Sequence, residues 1–238
     1  RGISCLSIAC LTIHGLCHWS RPVASSSLGP SPGCSGEGMR LKDLANWNQT
    51  SVDWERLLSA SPEGCFVAEH DGRVIGTSTT IVYEGRFAWI GMLLVDPEYR
   101  GQGIGTALLE RAIQYLDSRN VLAMKLDATP RGKILYNKLG FVSEYEVERW
   151  MLKRQPDENA VPQISEAIED ILELDREIFG ADRSELLRSM SEEAPGFSLA
   201  ARQEGDVTGY LFGRRGSLAD HLGPWMAGEG SRVCRLRA

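Results

Sequence analysis

Long apolar runs are missing from this chain. No stretch approaches the roughly 20 consecutive apolar residues that a membrane-crossing helix requires, so no helical span is expected. Surplus positive charge is missing too. Lysine and arginine number 26 against 32 acidic residues, giving a net charge of −6 and a pI near 5.4. That balance removes the electrostatic case for binding nucleic acid or an anionic membrane surface. Four of the six cysteines (Cys5, Cys10, Cys17, Cys34) lie in the first 38 residues, and Cys65 stands alone in the body of the first half. Neither a disulfide framework nor metal-ligand spacing is visible, and no metal is expected.

Acidic residues are absent before Glu37, and the serine-rich segment 1–38 is unlike the remainder of the chain. Arg1, an apolar run from Ile3 to Cys17 and then Val23-Ala24-Ser25 have the outline of a secretory signal, but His14 and several polar residues interrupt the run. The expectation is instead a tail, fused or translated out of register, that is disordered and supplies no recognisable strand. The full length of 238 residues suits one large domain or two small ones.

The stretch from Trp89 to Leu116 organises the rest. Ile90–Val95 is an almost unbroken apolar run, short enough for a buried strand. Asp96-Pro97 ends it, because proline cannot donate to a ladder and favours a turn. From Ile104 the apolar residues Ile104, Leu108, Ala112 and Leu116 recur every fourth position, the spacing of one helix face. Between strand and helix lies Arg100-Gly101-Gln102-Gly103-Ile104-Gly105. Amides at a helix start lack intrahelical partners and carry the positive end of the dipole, and glycine lets an anion approach them. A P-loop is excluded because Gly105-Thr106-Ala107 has no lysine. A dinucleotide fingerprint is excluded because the spacing is Gly-x-Gly-x-Gly and five residues separate it from the strand.

Upstream, helices are expected over Leu41–Ala45 and from Ser51 to Leu58, flanking Asn46-Trp47-Asn48-Gln49-Thr50, in which Asn48-Gln49-Thr50 is a formal glycosylation sequon treated as chance. Cys65–Glu69 and Val74–Val82 read as strands joined by a turn at Asp71-Gly72, which makes His70 a solvated turn residue. Downstream, Val121–Asp127 is a strand parallel to the organising one by the crossover rule, and Tyr145–Leu152 closes the sheet. Residues 153–163, polar with two prolines, read as a linker. Then the pattern repeats: a helical stretch Ile168–Met190 precedes Gly196–Gly209, which echoes Gly64–Gly76, and Leu222–Ala227 stands where Ile90–Val95 stood. The second copy stops where its glycine loop should begin.

The strand ending Val-Asp-Pro-Glu-Tyr, the Arg-x-x-Gly-x-Gly loop and Leu135-Tyr136-Asn137-Lys138-Leu139-Gly140-Phe141 together resemble the GNAT superfamily of N-acetyltransferases. The resemblance implies an α/β GNAT fold, a mixed central sheet flanked by helices, over 39–152, and a partial second GNAT-like domain over 164–238. It implies acetyl-CoA as acyl donor, with the backbone of Leu93, Leu94 and Val95 bonding the pantetheine arm. The amides of Gly101, Gln102, Gly103, Ile104, Gly105 and Thr106 would cradle the pyrophosphate, assisted by Arg100 or Gln102, and Gly91 could mark a bulge that opens the sheet. Tyr136 matches the tyrosine that protonates the departing thiolate. Thr129 and Gly132 depart from the family's asparagine and alanine. The acceptor would be a small-molecule amine or an exposed amino group, flanked by the first two helices, where Trp47 and Trp54 either line the pocket or pack. Glu84, Asp127 and Asp53 are candidate bases, none of them assigned. A cytoplasmic enzyme is expected; a non-catalytic CoA-binding module is the alternative, and acceptor and oligomeric state stay open.

Overall fold

The computed structural model describes residues 3–14, 28–29, 34–152 and 168–227. The chain divides into two compact units, Arg1–Trp47 with Ser51–Pro156 and Asn48–Thr50 with Asp157–Ala238. Residues 153–163, the expected linker, lie outside the described residues.

In the first unit the strands are β1 (Ile3–His14), β2 (Leu28–Gly29), β3 (Cys65–His70), β4 (Arg73–Tyr83), β5 (Phe87–Val95), β6 (Ala123–Ala128) and β7 (Val142–Leu152). The helices are α1 (Cys34–Leu44), α2 (Ser51–Ala60), α3 (Ile104–Ser118) and α4 (Pro130–Lys138). One seven-stranded sheet runs in the order β2-β3-β4-β5-β6-β1-β7. Only β5 and β6 are parallel, joined through α3. Asp71 and Gly72 turn the β3–β4 hairpin with φ of 49° and 74°, the left-handed pair that a two-residue turn requires.

The N-terminal expectation needs correcting. Residues 3–14 form β1, antiparallel to both β6 and β7, and 28–29 pair with β3. α1 begins at Cys34, so 34–38 are helical as well. The run that polar residues spoil as a secretory signal is well suited to a strand, since Ile, Thr and Leu fit a pleated surface. The open edges of β6 and β7 supply its backbone partners.

Two apolar clusters cover the sheet. α3 buries Leu108, Leu109, Ala112, Ile113 and Leu116 with Ile90, Leu126 and Ala128 beneath them. α1 and α2 cover the other face with Leu41 and Trp54 over Cys65, Val67, Val74, Met92 and Leu94. Trp54 is fully buried and Trp47 packs against that cluster, so the packing reading of the tryptophans holds. α3 lies so close to the sheet that a Cβ on Gly76 would stand 2.8 Å from Leu108 Cδ1.

The described part of the second unit repeats the order of two helices and three strands that runs from α1 to β5 in the first. α5 (Ile168–Phe179) and α6 (Ser184–Glu193), separated at Gly180, stand for the single expected helical stretch. β8 (Leu199–Gln203), β9 (Asp206–Arg214) and β10 (His221–Ala227) form a three-stranded antiparallel sheet. A single 3-10 turn precedes the first strand in each copy, at Pro62–Gly64 and Pro195–Phe197. The hairpin slips register between Ala68 and Glu69 in one and between Ala201 and Arg202 in the other. Asn48, assigned to this unit, is buried. Its side-chain oxygen accepts from the amides of Leu218 and Ala219 at 2.8 and 3.0 Å, and its nitrogen donates to the Ala219 carbonyl at 2.7 Å. A residue so engaged is packed as structure, in keeping with the sequon being chance.

Candidate functional site

The site begins with a bulge. Thr77 pairs with Leu94 and Thr79 with Gly91, so β5 carries one residue more than β4 between these points. Met92, beside Gly91, takes the strain with φ of 47°, and its carbonyl accepts from Thr77 Oγ1 at 2.8 Å. The extra residue turns the strand over. Ala88 and Ile90 pack under α3, whereas Met92 and Leu94, of the same numerical parity, pack under α1 and α2. Leu93 and Val95 then turn to the α3 side.

The strands separate at the same point. β5 and β6 pair at Ala88–Met124, Trp89–Lys125 and Ile90–Leu126, and no further. Beyond Ile90 the edge of β5 that carries Leu93, Leu94 and Val95 has no strand partner among the described residues. Buried backbone N–H and C=O groups are obligatory hydrogen-bonding groups, so an extended ligand with amide groups can bond there as an added strand. The Val95 carbonyl already accepts from Arg100 Nε at 3.0 Å. Arg100 is thereby tied to the strand end by one nitrogen.

The glycine loop comes next. Asp96 is buried and receives Arg40 at 2.7 Å, Arg73 at 3.4 Å and the amide of Glu98 at 3.2 Å. Burial raises its pKa, but these hydrogen bonds and charges outweigh that and hold it below 3.8. Gly101 and Gly103 have φ of 78° and 85°, and Gly103 is the N-cap of α3. No side chain caps that end. The amides of Ile104, Gly105 and Thr106 are those that the first helical turn leaves unpaired, and Gly101, Gln102 and Gly103 are exposed beside them. A helix N-terminus of this kind can offer its unpaired amides to an anion.

α4 brings the third component. Thr129 caps it, accepting from the Gly132 amide at 3.3 Å, so its hydroxyl serves the helix. Tyr136 is buried, with its ring 6.3 Å from that of Phe141. It folds back over Gly132, where an added Cβ would lie 2.9 Å from Tyr136 Cε2 and 3.2 Å from its hydroxyl. Glycine in place of the family's alanine makes room for this rotamer. The hydroxyl therefore points toward the start of α4, next to the C-terminal end of β6. Burial pushes its pKa from 10.0 up to about 12, so it keeps its proton through the neutral range. Leu135 closes the group, 3.9 Å from an ideal Cβ on Gly105, with Val95 at 3.6 Å.

The three candidate bases lie on a turn, a helix and a strand. Glu84 sits in the β4–β5 turn with φ of 50°. Asp53 lies on α2 and pairs with Arg56 at 3.2 Å. Asp127 is one residue past the last position at which β6 pairs with β5, and it pairs with Cys10 of β1 on its other side. His70 is half-exposed at its turn, edge-on to Tyr99 at 5.4 Å. The described residues include no group of acids, histidines and cysteines that could hold a metal.

The first unit thus presents a free strand edge that ends beside a glycine-rich helix start with no side-chain cap. Residues 37–141 match the model of the acetyltransferase (GNAT) family, and residues 171–236 match an acetyltransferase (GNAT) domain. The chain belongs to the GNAT acetyltransferase family. It is 28% identical over 195 residues to holothin acyltransferase from Pseudoalteromonas sp., covering 79% of this chain and 64% of that protein. It is 36% identical over 110 residues to an acetyltransferase from Sodalis glossinidius, covering 44% of this chain and 72% of the relative. The chain spans less than two thirds of several curated relatives, including 62% of an uncharacterized N-acetyltransferase from Bacillus subtilis. The fold is that of a putative acetyltransferase from Pyrococcus horikoshii, with a TM-score of 0.64 at 23% identity, covering 88% of this chain and 74% of that one.

Proposed function

We propose that the first unit transfers an acetyl group from acetyl-CoA to a primary amine, on a small molecule or an exposed amino group. The observation that carries this reading is the parting of β5 and β6 beyond Ile90 and Leu126, directly beside the uncapped start of α3. The free edge at Leu93–Val95 suits the amides of a pantetheine arm. The amides from Gly101 to Thr106 suit a pyrophosphate, with the outer nitrogens of Arg100 and the side chain of Gln102 beside them. Acetyl-CoA supplies the acyl group in activated form, as a thioester. Tyr136 is the general acid, its proton retained by burial until sulfur departs as thiolate.

Acetyl-CoA and CoA are expected to raise the melting temperature of the protein, as any ligand that binds only the native state must. A coupled assay for free CoA with a panel of primary alkylamines, arylalkylamines and peptides with free N-termini then tests the chemistry. Turnover on any of them supports the enzyme. Cofactor binding with no turnover favours a CoA-binding module, and no melting shift at saturating cofactor removes the site itself.

A further inference from the structure

Resting on that reading, we propose that Asp127 is the proton acceptor for the attacking amine, placed on the opposite face of the parted sheet from Tyr136. Alternation along β6 carries the first part of the argument. Met124, Leu126 and Ala128 turn into the cluster under α3 and α4 that also holds Tyr136. Asp127 and Lys125 therefore face the other way. One residue past Leu126, where β5 no longer pairs, Asp127 stands at the lip of the opening on the side away from the acid.

Its neighbours set it apart from an ordinary surface carboxylate. The groups facing it are Trp89 on β5, Lys125 on its own strand, Cys10 on β1, and Glu144 and Tyr145 on β7. Lys125 is committed to Glu144, with Nζ 2.7 and 2.9 Å from its two carboxylate oxygens, and Glu144 also accepts from Thr12 Oγ1 at 2.5 Å. Among the described residues no cation pairs with Asp127. Asp127 is open to solvent, yet burial of its surroundings raises its pKa above 3.8, and a side-chain hydrogen bond with Trp89 offsets part of the rise. Exposed but poorly solvated, this carboxylate stands beside the parted strands, where it can receive a cation or an acidic N–H.

The step balances on these two side chains. The neutral amine forms the N–C bond to the thioester carbonyl, and its nitrogen, now positively charged, becomes a strong acid. That proton passes to the Asp127 carboxylate, so a base of carboxylate strength suffices. The C–S bond breaks, its electron pair leaves on sulfur, and sulfur takes the Tyr136 proton. Transfer of the Asp127 proton to the tyrosinate through solvent restores both groups. Acid and base on opposite faces let nucleophile and leaving group meet separate partners.

The test uses the whole chain with Asp127→Asn and Trp89→Phe, with the amine panel above as acceptors. Asp127→Asn is expected to keep the melting shift with acetyl-CoA, lower the saturating rate about 10²-fold, and remove the carboxylate limb of the pH profile. Trp89→Phe removes a partner that favours the charged form, so the Asp127 pKa rises and the acid limb moves to higher pH. A ¹³C titration of the Asp127 carboxyl reads the same displacement without turnover. Full rate and an unmoved acid limb in Asp127→Asn overturn the assignment and leave the acetyltransferase reading standing. An Asp127 carboxyl that titrates identically in wild type and Trp89→Phe overturns it as well. Failure of the wild type to acetylate any amine removes both.

Discussion

At the scale of single residues, Tyr136 is where packing and chemistry meet. Its ring belongs to the core under α4, and its hydroxyl makes no hydrogen bond to any described residue. Tyr136→Phe keeps the ring, so stability should change by less than about 1.5 kcal/mol, as for other near-isosteric core replacements. If the hydroxyl is the acid, the single-turnover rate at saturating acetyl-CoA should fall about 10²-fold with cofactor affinity unchanged. Lower affinity at an unchanged rate would make the tyrosine a holder of the pantetheine arm instead. Single turnover is the measurement to make, because product release can limit the steady state. Sequence pattern was sufficient to find Tyr136, but not to explain Gly132. The need for glycine comes from a ring folding back over the backbone, which spacing alone does not reveal.

At the scale of elements, the glycine loop joins a strand to a helix within a few residues, and each end is anchored. Asp96 holds the entry through Arg40 from α1 and Arg73 from β4, and Gly103 caps the exit in the left-handed region. Gly103→Val should therefore do two things. A β-branched residue at φ of 85° is strained, costing on the order of 1–3 kcal/mol, and relief of that strain displaces the amides at the start of α3. The acetyl-CoA melting shift should vanish while the far-ultraviolet spectrum stays that of the folded protein. A retained shift would show that the loop closes the turn without holding the cofactor. Gly105 differs: its φ is not left-handed and an added Cβ meets only ordinary contacts, so Gly105→Ala should bind nearly as well as wild type.

At the scale of the whole molecule, each unit has its own core. In the second, α5 and α6 pack Ile171, Leu172, Leu187 and Met190 onto Tyr210 and Phe212. A polar knot sits within it: Arg183 grips Asp175 at 2.6 and 2.8 Å, Tyr210 donates to the same carboxylate, and the guanidinium lies 3.9 Å over the Phe179 ring. Asp175→Ala leaves the arginine half of a buried pair without its partner, which costs about 3–5 kcal/mol. The expected result is a lower melting transition for the second unit. Acetyl-CoA should still shift the transition of the first, since the loop and the parted strands belong to that unit alone. Loss of the cofactor shift would mean that the first unit depends on the second for its fold.

The sequence by itself determined what is written in short range. The organising strand, the glycine loop, the face of α3, the Asp71-Gly72 turn and the internal repeat each depend on residues a few positions apart, and dihedral preference and periodicity act at that distance. Tertiary structure decided the rest. β1 enters the sheet between β6 and β7 because two open edges there need backbone partners, more than a hundred residues away in the chain. The left-handed strain fell on Met92 instead of Gly91 because the register of β4 placed the extra residue there. Asp127 became distinctive only when the parallel pairing of β5 and β6 stopped one residue before it and set it beside Trp89. Pairing between distant strands depends on which edges remain free and which faces are already covered, and neither exists until the chain has folded.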